Sequence, residues 1–398
     1  MNVRYIAIFL TVLLHVSGNS AWLQFHGNAQ RTGFAPVAGP TNPHKVWEAS
    51  VGGPIITSPI IGPDGTIYIG PTLEEKFIDP KVVVTAITPG GTIRWQFKTK
   101  FVDTDSPTLS TPALGNGKLY FGSPDGAFYA IDAATGELVW KFQGSQPVIQ
   151  SPAVAPNGTI YAGIDGKIYS FTASGTVNWS ATVGDPRQSG GPALGFDGTI
   201  YINGSIENGY NRIWAFRTDG SQKWNHDLLN PAFWPLAPPT VGPDGTIYTV
   251  GQGIEALNPA TGVRKWYSEP SFGINGYGSI AVDYTHSIYY TNYVYVWKLD
   301  ATTGALIWQF LLQAEFNFLG SSYSSILATN NGLYMGLGTN KRAATDFEKQ
   351  MLCLTLTGAQ RNTQARLPEI AGTSSPAIAQ NGTIYIGSLD GKLYSFHD

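Results

Sequence analysis

Charged residues are scarce in this sequence. Asp, Glu, Lys and Arg make up 13% of its 398 residues, whereas roughly 25% is usual in soluble domains. The formal net charge is −3 and no long run of one sign occurs, so the chain lacks the electrostatic footprint of a nucleic-acid-binding protein. The shortage of charge also disfavours disorder and long solvated helices.

Cysteine is almost absent as well. The single cysteine, Cys353, cannot form an internal disulfide, so an exported chain of this kind depends on its core alone for stability. Cys353 stands in the apolar stretch MLCLTLTG. We interpret it as a small buried hydrophobic residue, with a reactive thiol as the alternative.

Catalytic and metal-binding motifs are missing too. The sequence has no GxSxG and no phosphate-binding GxxxxGK[ST] loop, and its histidines show no HxxxH or HExxH spacing. Asp103 and Asp105 in FVDTDSP are candidate calcium ligands, but Ca²⁺ takes about six to eight oxygens, and a solvated acidic loop is the preferred interpretation. We therefore predict no catalytic residue and no metal site.

Only one long apolar run occurs, at the start of the chain. It extends from about Tyr5 to Val16, after Arg4 and before small residues that end at Ala21. A membrane-spanning helix needs about 20 apolar residues, so this run is too short. We predict a signal peptide over residues 1–21 and a secreted, periplasmic or extracellular location. An N-terminal membrane anchor is the alternative, and no other segment is long enough to span a bilayer.

Glycine and aromatic residues, by contrast, are abundant and mark an internal repeat. A strand ending in tyrosine recurs eight times, for example as DGTIYIG (64–70), NGTIYAG (157–163) and NGTIYIG (381–387). Its spacing of about 40 to 52 residues is typical of a propeller or an array. The eight marker tyrosines are Tyr68, Tyr120, Tyr161, Tyr201, Tyr248, Tyr289, Tyr334 and Tyr385.

Each repeat predicts four short antiparallel strands, which together form one propeller blade. Asn-Gly and Asp-Gly pairs between alternating apolar residues predict hairpins, because both central residues of such a turn need positive φ. A proline before a small apolar run, as in TPAL (111–114), indicates the innermost strand, since proline cannot donate to the ladder and is tolerated on edge strands.

The ends of the chain predict how the ring closes. The last repeat reaches Asp398 after its third strand, and HKVWEAS (44–50) precedes the first repeat. We predict that residues 44–50 form the outer strand of blade eight, because an unpaired edge there would be an aggregation hazard. The predicted organisation is a signal peptide (1–21), a lead-in segment (22–43) and an all-β, eight-bladed propeller (44–398).

A tryptophan recurs on the fourth strand, although blade seven has Asn362 at this place. The unit YxxDxxTGxxxW, seen as YAIDAATGELVW (129–140), resembles the PQQ-like repeat with its tryptophan docking motif. The resemblance covers residues 45–398, and WLQFHGNAQRTGFA (22–35) is similar to the opening of many exported bacterial proteins with this repeat. It implies an eight-bladed propeller in which these rings pack between blades. The docking tryptophans are Trp47, Trp95, Trp140, Trp179, Trp224, Trp266 and Trp308.

Two kinds of protein carry this repeat. Quinoprotein dehydrogenases bind pyrroloquinoline quinone and calcium on the propeller axis and resemble one another in an adjacent Cys-Cys pair, which a chain with one cysteine cannot form. Binding scaffolds, such as the outer-membrane assembly lipoprotein of Gram-negative bacteria, use the bare propeller to hold partners. We expect a non-enzymatic scaffold without a cofactor. A quinoprotein with its cofactor on the axis and a carbohydrate-binding propeller are the alternatives.

Loop lengths predict which face binds. Turns from first to second and from third to fourth strand share one face, the turn face, and are nearly all minimal. Every sizeable insertion falls on the opposite side, the loop face, which is typical of a binding face. We expect a monomer that binds a protein or other extracytoplasmic ligand there; the alternative is that its rings form a local core. The predicted contact residues are Phe101, Asp103, Asp105, Arg187, Phe233, Trp234, Phe272, Tyr277, Phe316 and Phe318.

Four Asn-x-Ser/Thr sequons are candidates for N-glycosylation, at Asn157, Asn178, Asn203 and Asn381. They matter only in a eukaryotic secretory route. Asn157 and Asn381 stand where other repeats have Asp, so turn chemistry is the preferred explanation for both.

Overall fold

A computed structural model of the chain describes residues 21–74, 81–100, 110–184, 191–206, 211–229, 237–269, 278–292, 295–312, 324–337, 350–361, 365–369, 371 and 374–398. The regular structure of this part of the chain consists entirely of β-strands. No helix in it is long and apolar enough to cross a membrane. Of the predicted signal peptide, only Ala21 lies within the described residues.

The strands form eight sheets of four strands each. Two strands precede the repeats, β1 (Phe34–Ala35) and β2 (His44–Ser50). Blades one to four contain β3 (Ile60–Ile61), β4 (Ile67–Glu74), β5 (Lys81–Ile87), β6 (Ile93–Lys100), β7 (Ala113–Gly115), β8 (Lys118–Gly122), β9 (Ala127–Asp132), β10 (Leu138–Gln143), β11 (Ala153–Val154), β12 (Ile160–Ile164), β13 (Lys167–Phe171), β14 (Val177–Thr182), β15 (Ala193–Leu194), β16 (Ile200–Ser205), β17 (Asn211–Phe216) and β18 (Gln222–Asp227). Blades five to eight contain β19 (Thr240–Val241), β20 (Ile247–Val250), β21 (Ile254–Leu257), β22 (Arg264–Ser268), β23 (Ala281–Val282), β24 (Ser287–Thr291), β25 (Tyr295–Asp300), β26 (Leu306–Leu311), β27 (Leu327–Thr329), β28 (Leu333–Gly336), β29 (Met351–Leu354), β30 (Ala377–Ile378), β31 (Ile384–Gly387) and β32 (Lys392–His397).

Within a blade, consecutive strands pair antiparallel. In blade two, Ala113 lies opposite Tyr120, Tyr120 opposite Ala130, and Ala130 opposite Trp140. The marker tyrosine and the tryptophan of a repeat therefore lie in one row across the sheet, since opposite residues of paired strands point to the same face. The eight-bladed propeller predicted from the sequence is confirmed.

The ring closes as predicted. Strand β2 pairs antiparallel with β32, so that His44 lies opposite His397 and Trp47 opposite Ser395. The segment ahead of the first repeat thus supplies the outer strand of blade eight. This pairing covers the edge that the third strand of blade eight would otherwise expose.

Blade seven departs from the regular pattern. Its inner strand β27 carries an additional neighbour, β1, which pairs with it in parallel through Phe34–Ala328 and Ala35–Thr329. On the outer side, two isolated bridges lie beside β29 among the described residues, Leu354–Gln360 and Gln350–Arg366.

The tight turns follow two designs, of which the sequence predicted one. In Asn116-Gly117 and Asp165-Gly166 both residues have positive φ, as expected. In GPDGT (62–66), only Gly65 does, with φ 79°. There the Asp64 carboxylate accepts bonds from the Thr66 N–H (3.1 Å) and hydroxyl (2.7 Å). This side-chain cap holds the longer turn, so positive φ is needed at the glycine alone.

Each docking tryptophan contacts the third turn of the next blade. The indole N–H donates to a turn carbonyl at 2.8–3.2 Å in all seven cases. The ring lies against the turn glycine, so a Cβ added to Gly136 would stand 2.7 Å from Trp95. Only glycine allows this close approach, and Gly136 also has φ 77°.

The apolar core lies between blades rather than in one central mass. One cluster joins Ile60 and Tyr68 of blade one to Leu119, Phe121 and Ile131 of blade two. Similar clusters join the other blades. Stability therefore depends on contacts between neighbouring repeats, as in other repeat proteins.

Candidate functional site

The predicted contact surface lies outside the described residues. All ten of its members fall in segments whose structure is not described, namely Phe101, Asp103, Asp105, Arg187, Phe233, Trp234, Phe272, Tyr277, Phe316 and Phe318. The surface therefore stays a prediction. The described residues show how the blades and segments next to this surface are held in place.

Part of the lead-in segment contacts the inner strands of successive blades at the turn face. We call this part, residues 22–38, the axial segment. Its carbonyls accept main-chain N–H groups at 2.8–2.9 Å from the inner strands of blades one, two and four to seven: Trp22 from Ile61, Leu23 from Leu114, Ala29 from Leu194, Gln30 from Val241, Thr32 from Val282 and Gly33 from Ala328. Blade three is bound through the Gln24 amide, which makes two 2.9 Å bonds to Val154. One stretch of chain thus fastens seven blades.

Arg31 is the most deeply buried cation of the described residues, with no solvent exposure. Its guanidinium donates to the carbonyls of Phe25, Ser151, Pro152 and Pro192 at 2.8–3.1 Å. It thereby joins the axial segment to the inner strands of blades three and four. Burial lowers the pKa of Arg31 to about 9, so the side chain is still charged at neutral pH.

His26 lies beside Arg31 and is buried too. Its Nδ1 is 3.0 Å from the Arg31 carbonyl oxygen, so the tautomer protonated at Nδ1 donates to it. Burial lowers the pKa of His26 to about 4. The imidazole is therefore neutral at pH 7 and adds no second charge to the turn-face end of the axis.

The seam between blades seven and eight has no docking tryptophan. Instead, the Arg361 guanidinium and the Tyr334 hydroxyl both donate to the Pro40 carbonyl, at 2.9 and 2.7 Å. The Asp398 carboxylate accepts the N–H groups of Thr41 (2.9 Å) and Asn42 (2.7 Å). Residues 40–42 thus occupy the place of a third turn in blade eight.

A polar cluster supports the loop face between blades four and five. The carboxylate of Glu255 is buried and lies 2.9 Å from His226 Nε2. It also accepts the N–H of Leu229 at 2.7 Å, and Arg264 lies 3.6 Å away. Leu229 directly precedes segment 230–236, which contains the predicted anchor Phe233-Trp234. Glu255 therefore fixes the point from which that segment starts.

Two other blade interfaces fill this place with a pair of aromatic rings. Phe97 packs on Tyr129 with ring centres 5.7 Å apart, and Phe142 packs on Tyr169 at 5.1 Å. The register puts Glu255 where blade two has Tyr129. The sequence interpretation missed this cluster, although an alignment of the third strands contains the signal, a carboxylate in a column that is aromatic in most blades.

The remaining predicted positions are all described. Asn157, Asn178 and Asn381 are exposed, and the Asn157 and Asn381 side chains accept the N–H of the residue two positions on, which is a turn role. Asn203 is buried, with its amide donating to the Ala237 carbonyl at 3.1 Å. It is therefore inaccessible to glycosylation in the folded protein. Cys353 is buried in the blade-seven core.

The eight sheets, the ring closure and the recurring contact from tryptophan to turn define the class, an eight-bladed propeller built from PQQ-like repeats. The chain belongs to the family described as outer membrane protein assembly factor BamB, which matches residues 79–188 and 164–398.

Curated relatives include an assembly factor and enzymes. The chain is 24% identical over 187 residues to outer membrane protein assembly factor BamB of Bordetella pertussis, covering 46% of this chain and 47% of that protein. It is 27% identical over 195 residues to quinohemoprotein alcohol dehydrogenase of Comamonas testosteroni, covering 41% and 26%. The matches thus span less than half the length of either relative.

Solved structures support the fold. A europium-containing methanol dehydrogenase superposes with a TM-score of 0.75, covering 98% of this chain and 100% of that chain at 13% sequence identity. At this identity the likeness shows the fold alone, because one fold hosts many functions.

Proposed function

We propose that the protein is an exported, non-enzymatic scaffold that binds a protein partner through its loop face. The observation that carries this proposal is the buried Glu255. A buried carboxylate is costly unless it is bonded, and this one stands where two other interfaces have paired rings. Its bonds to Leu229 and His226 fix the root of the segment with Phe233 and Trp234.

The partner class is supported by the family. The relative from Bordetella pertussis is named as an assembly factor of outer membrane proteins, and a protein that takes part in assembly binds other proteins. Export agrees with the apolar run at the start of the sequence.

The test is capture of partners from the extracytoplasmic fraction of the native organism by the purified full chain. Changing Phe233 and Trp234 together to alanine should abolish capture of the specific partner and leave thermal stability nearly unchanged. The matched control changes two exposed aromatic residues of the turn face, Phe196 and Tyr284, and should leave capture intact. A large loss of stability in the first variant would identify its rings as core and overturn the proposal, as would an equal loss of capture in the control.

A quinoprotein is the second candidate, favoured by the alcohol dehydrogenase relative. Two features of the described residues argue against its cofactor. The axial segment and Arg31 fill the turn-face end of the axis, and within the described ranges no three His, Cys, Asp or Glu side chains form a metal-binding group. We expect that incubation with pyrroloquinoline quinone and Ca²⁺ gives neither a bound chromophore nor dye-linked alcohol oxidation, and either result would favour the enzyme.

A further inference from the structure

The Arg31 guanidinium lies among main-chain oxygens at the turn-face end of the axis. Its Nε donates to the Pro192 carbonyl at 3.1 Å, and Nη1 donates to the Phe25 carbonyl at 2.9 Å. Its Nη2 donates to the carbonyls of Ser151 and Pro152 at 3.0 and 2.8 Å. The Phe25 ring centre stands 5.6 Å from the guanidinium carbon. We call these four oxygens and this ring the axial cage.

The axial cage holds a positive charge without a counter-ion among the described residues. None of the ion pairs that these residues form includes Arg31, and the side chain has no solvent exposure. A buried charge is costly unless its surroundings supply hydrogen bonds. The four carbonyl oxygens supply them, so the cage has the chemistry of a site for a cation with several N–H donors.

Blade four departs from the other repeats beside this cage, at Gly191. The glycine stands two residues before Ala193, which lies opposite the marker tyrosine Tyr201. Six other blades have a hydroxyl residue at this place, namely Ser58, Thr111, Ser151, Ser279, Ser325 and Ser375. A Cβ added to Gly191 would stand 2.1 Å from the Ser151 carbonyl oxygen. The glycine therefore leaves room for an oxygen that Arg31 uses.

We propose that the axial cage is a binding site for a guanidinium group, which the chain fills with its own Arg31 and which thereby fastens the axial segment. The ligand class follows from the geometry, because the oxygens meet donors on three nitrogens of one planar cation. An ammonium ion has the same charge but lacks this fixed fork of donors. The site should therefore accept a free guanidinium ion when the Arg31 side chain is removed.

The test is rescue of Arg31→Ala in the full chain by ethylguanidinium, which has the atoms that this substitution removes. We expect saturable binding of one ion per chain with a dissociation constant on the order of 1 mM, measured by calorimetry. At about 10 mM the ion should raise the folding equilibrium constant of the variant by about tenfold, because it binds the folded chain. Ethylammonium at the same ionic strength should have little effect.

Two proteins serve as controls, the wild type and Trp140→Ala. Both keep Arg31 in the axial cage, and the second is destabilised at a contact with the third turn of blade three. Neither should bind ethylguanidinium or gain stability from it. The proposal is overturned if Arg31→Ala responds equally to ethylguanidinium and ethylammonium, or if Trp140→Ala gains as much stability as Arg31→Ala.

Arg31→Lys separates the geometry of the guanidinium from its charge. This variant should unfold at a lower temperature than the wild type, since lysine has one nitrogen for oxygens that now meet three. Stability equal to that of the wild type would overturn the proposal. If Arg31→Ala does not fold alone, refolding is compared in the two ions. Recovery in ethylguanidinium alone supports the site, and any other result overturns it.

Discussion

The seven tryptophan interfaces and the seam between blades seven and eight solve one structural problem in two ways. At the interface of blades five and six, Tyr248 and Trp266 both donate to the Ala301 carbonyl at 3.1 Å. At the seam, Tyr334 and Arg361 donate to the Pro40 carbonyl. The tyrosine and the shared acceptor are kept, and a guanidinium replaces the indole.

The difference follows from how blade eight is assembled. In blade six, Asp300 accepts the N–H groups of Thr302 and Thr303 and holds a continuous turn. In blade eight, Asp398 makes the matching bonds to Thr41 and Asn42, which lie far away in the sequence. Two separate segments thus form a turn through noncovalent contacts. This turn lacks the glycine on which a tryptophan ring packs at the other interfaces.

Loss of a repeat interface should have the largest effect. Trp140→Ala removes a ring packed on Gly175 and its 3.0 Å bond to the Ala173 carbonyl. We expect a loss of about 3–5 kcal/mol in the free energy of unfolding, measured by equilibrium denaturation. Val139→Ala, at the exposed neighbour, should cost less than about 0.5 kcal/mol. Near-wild-type stability of the tryptophan variant would remove the docking role of these rings.

The close approach of turn and ring can be tested from the glycine side. Gly136→Ala forces positive φ on alanine and places a Cβ 2.7 Å from Trp95. We expect a loss of about 2–4 kcal/mol, from the backbone and the overpacking together. Gly117→Ala has a similar φ of 69° but no neighbour within 4 Å, so it should lose only about 1–2 kcal/mol. Equal losses of stability in the two glycine variants would show that the contact between the turn and the tryptophan ring does not contribute to stability.

The seam should depend on Arg361 to a smaller degree. Arg361→Ala leaves the Pro40 carbonyl with one donor fewer, and hydrogen bonds to charged groups contribute about 1.5–3 kcal/mol. We expect a loss of about 2 kcal/mol. Arg217→Ala, at an exposed turn arginine of blade four, should stay within about 0.5 kcal/mol. If the two variants unfold alike, Arg361 does not stabilise the seam.

The smallest effect is expected at Asp398, and it should depend on pH. Burial acts to raise the pKa of this carboxyl, but the N–H groups of Thr41 and Asn42 outweigh it and lower the pKa below 3.8. A lowered pKa stabilises the fold above the unfolded-state pKa, and this contribution is lost as the pH falls through the folded-state pKa. Asp398→Asn should therefore unfold at a lower temperature than wild type at pH 7. The difference between the two unfolding temperatures should be smaller at pH 3. If the difference in unfolding temperature grows as the pH falls, the stabilising role of the Asp398 carboxylate is contradicted.

The repeat made most of the fold predictable. Blade number, strand order and the closing strand followed from the spacing of tyrosines, glycines and prolines, because each residue type meets a local demand of a tight turn or an edge. The turn of Asp64 and Gly65 was predicted less well, since a side-chain cap there relieves one residue of positive φ.

The axial segment and the polar cluster were not predicted from the sequence. Arg31 reads as a surface residue in a polar stretch, and only the ring of blades gives it the carbonyls of Ser151, Pro152 and Pro192. Glu255 likewise reads as an exposed strand residue until His226 of the neighbouring blade covers it. Both roles depend on partners that are distant in the chain.

The sequence by itself determined the blades, because their strands and turns are set by residues a few positions apart. Only the tertiary structure decided what lies on the axis and what joins the seam. Arg31, Arg361 and Asp398 find their partners across the closed ring, and no local pattern encodes contacts between segments that meet only when the ring is complete.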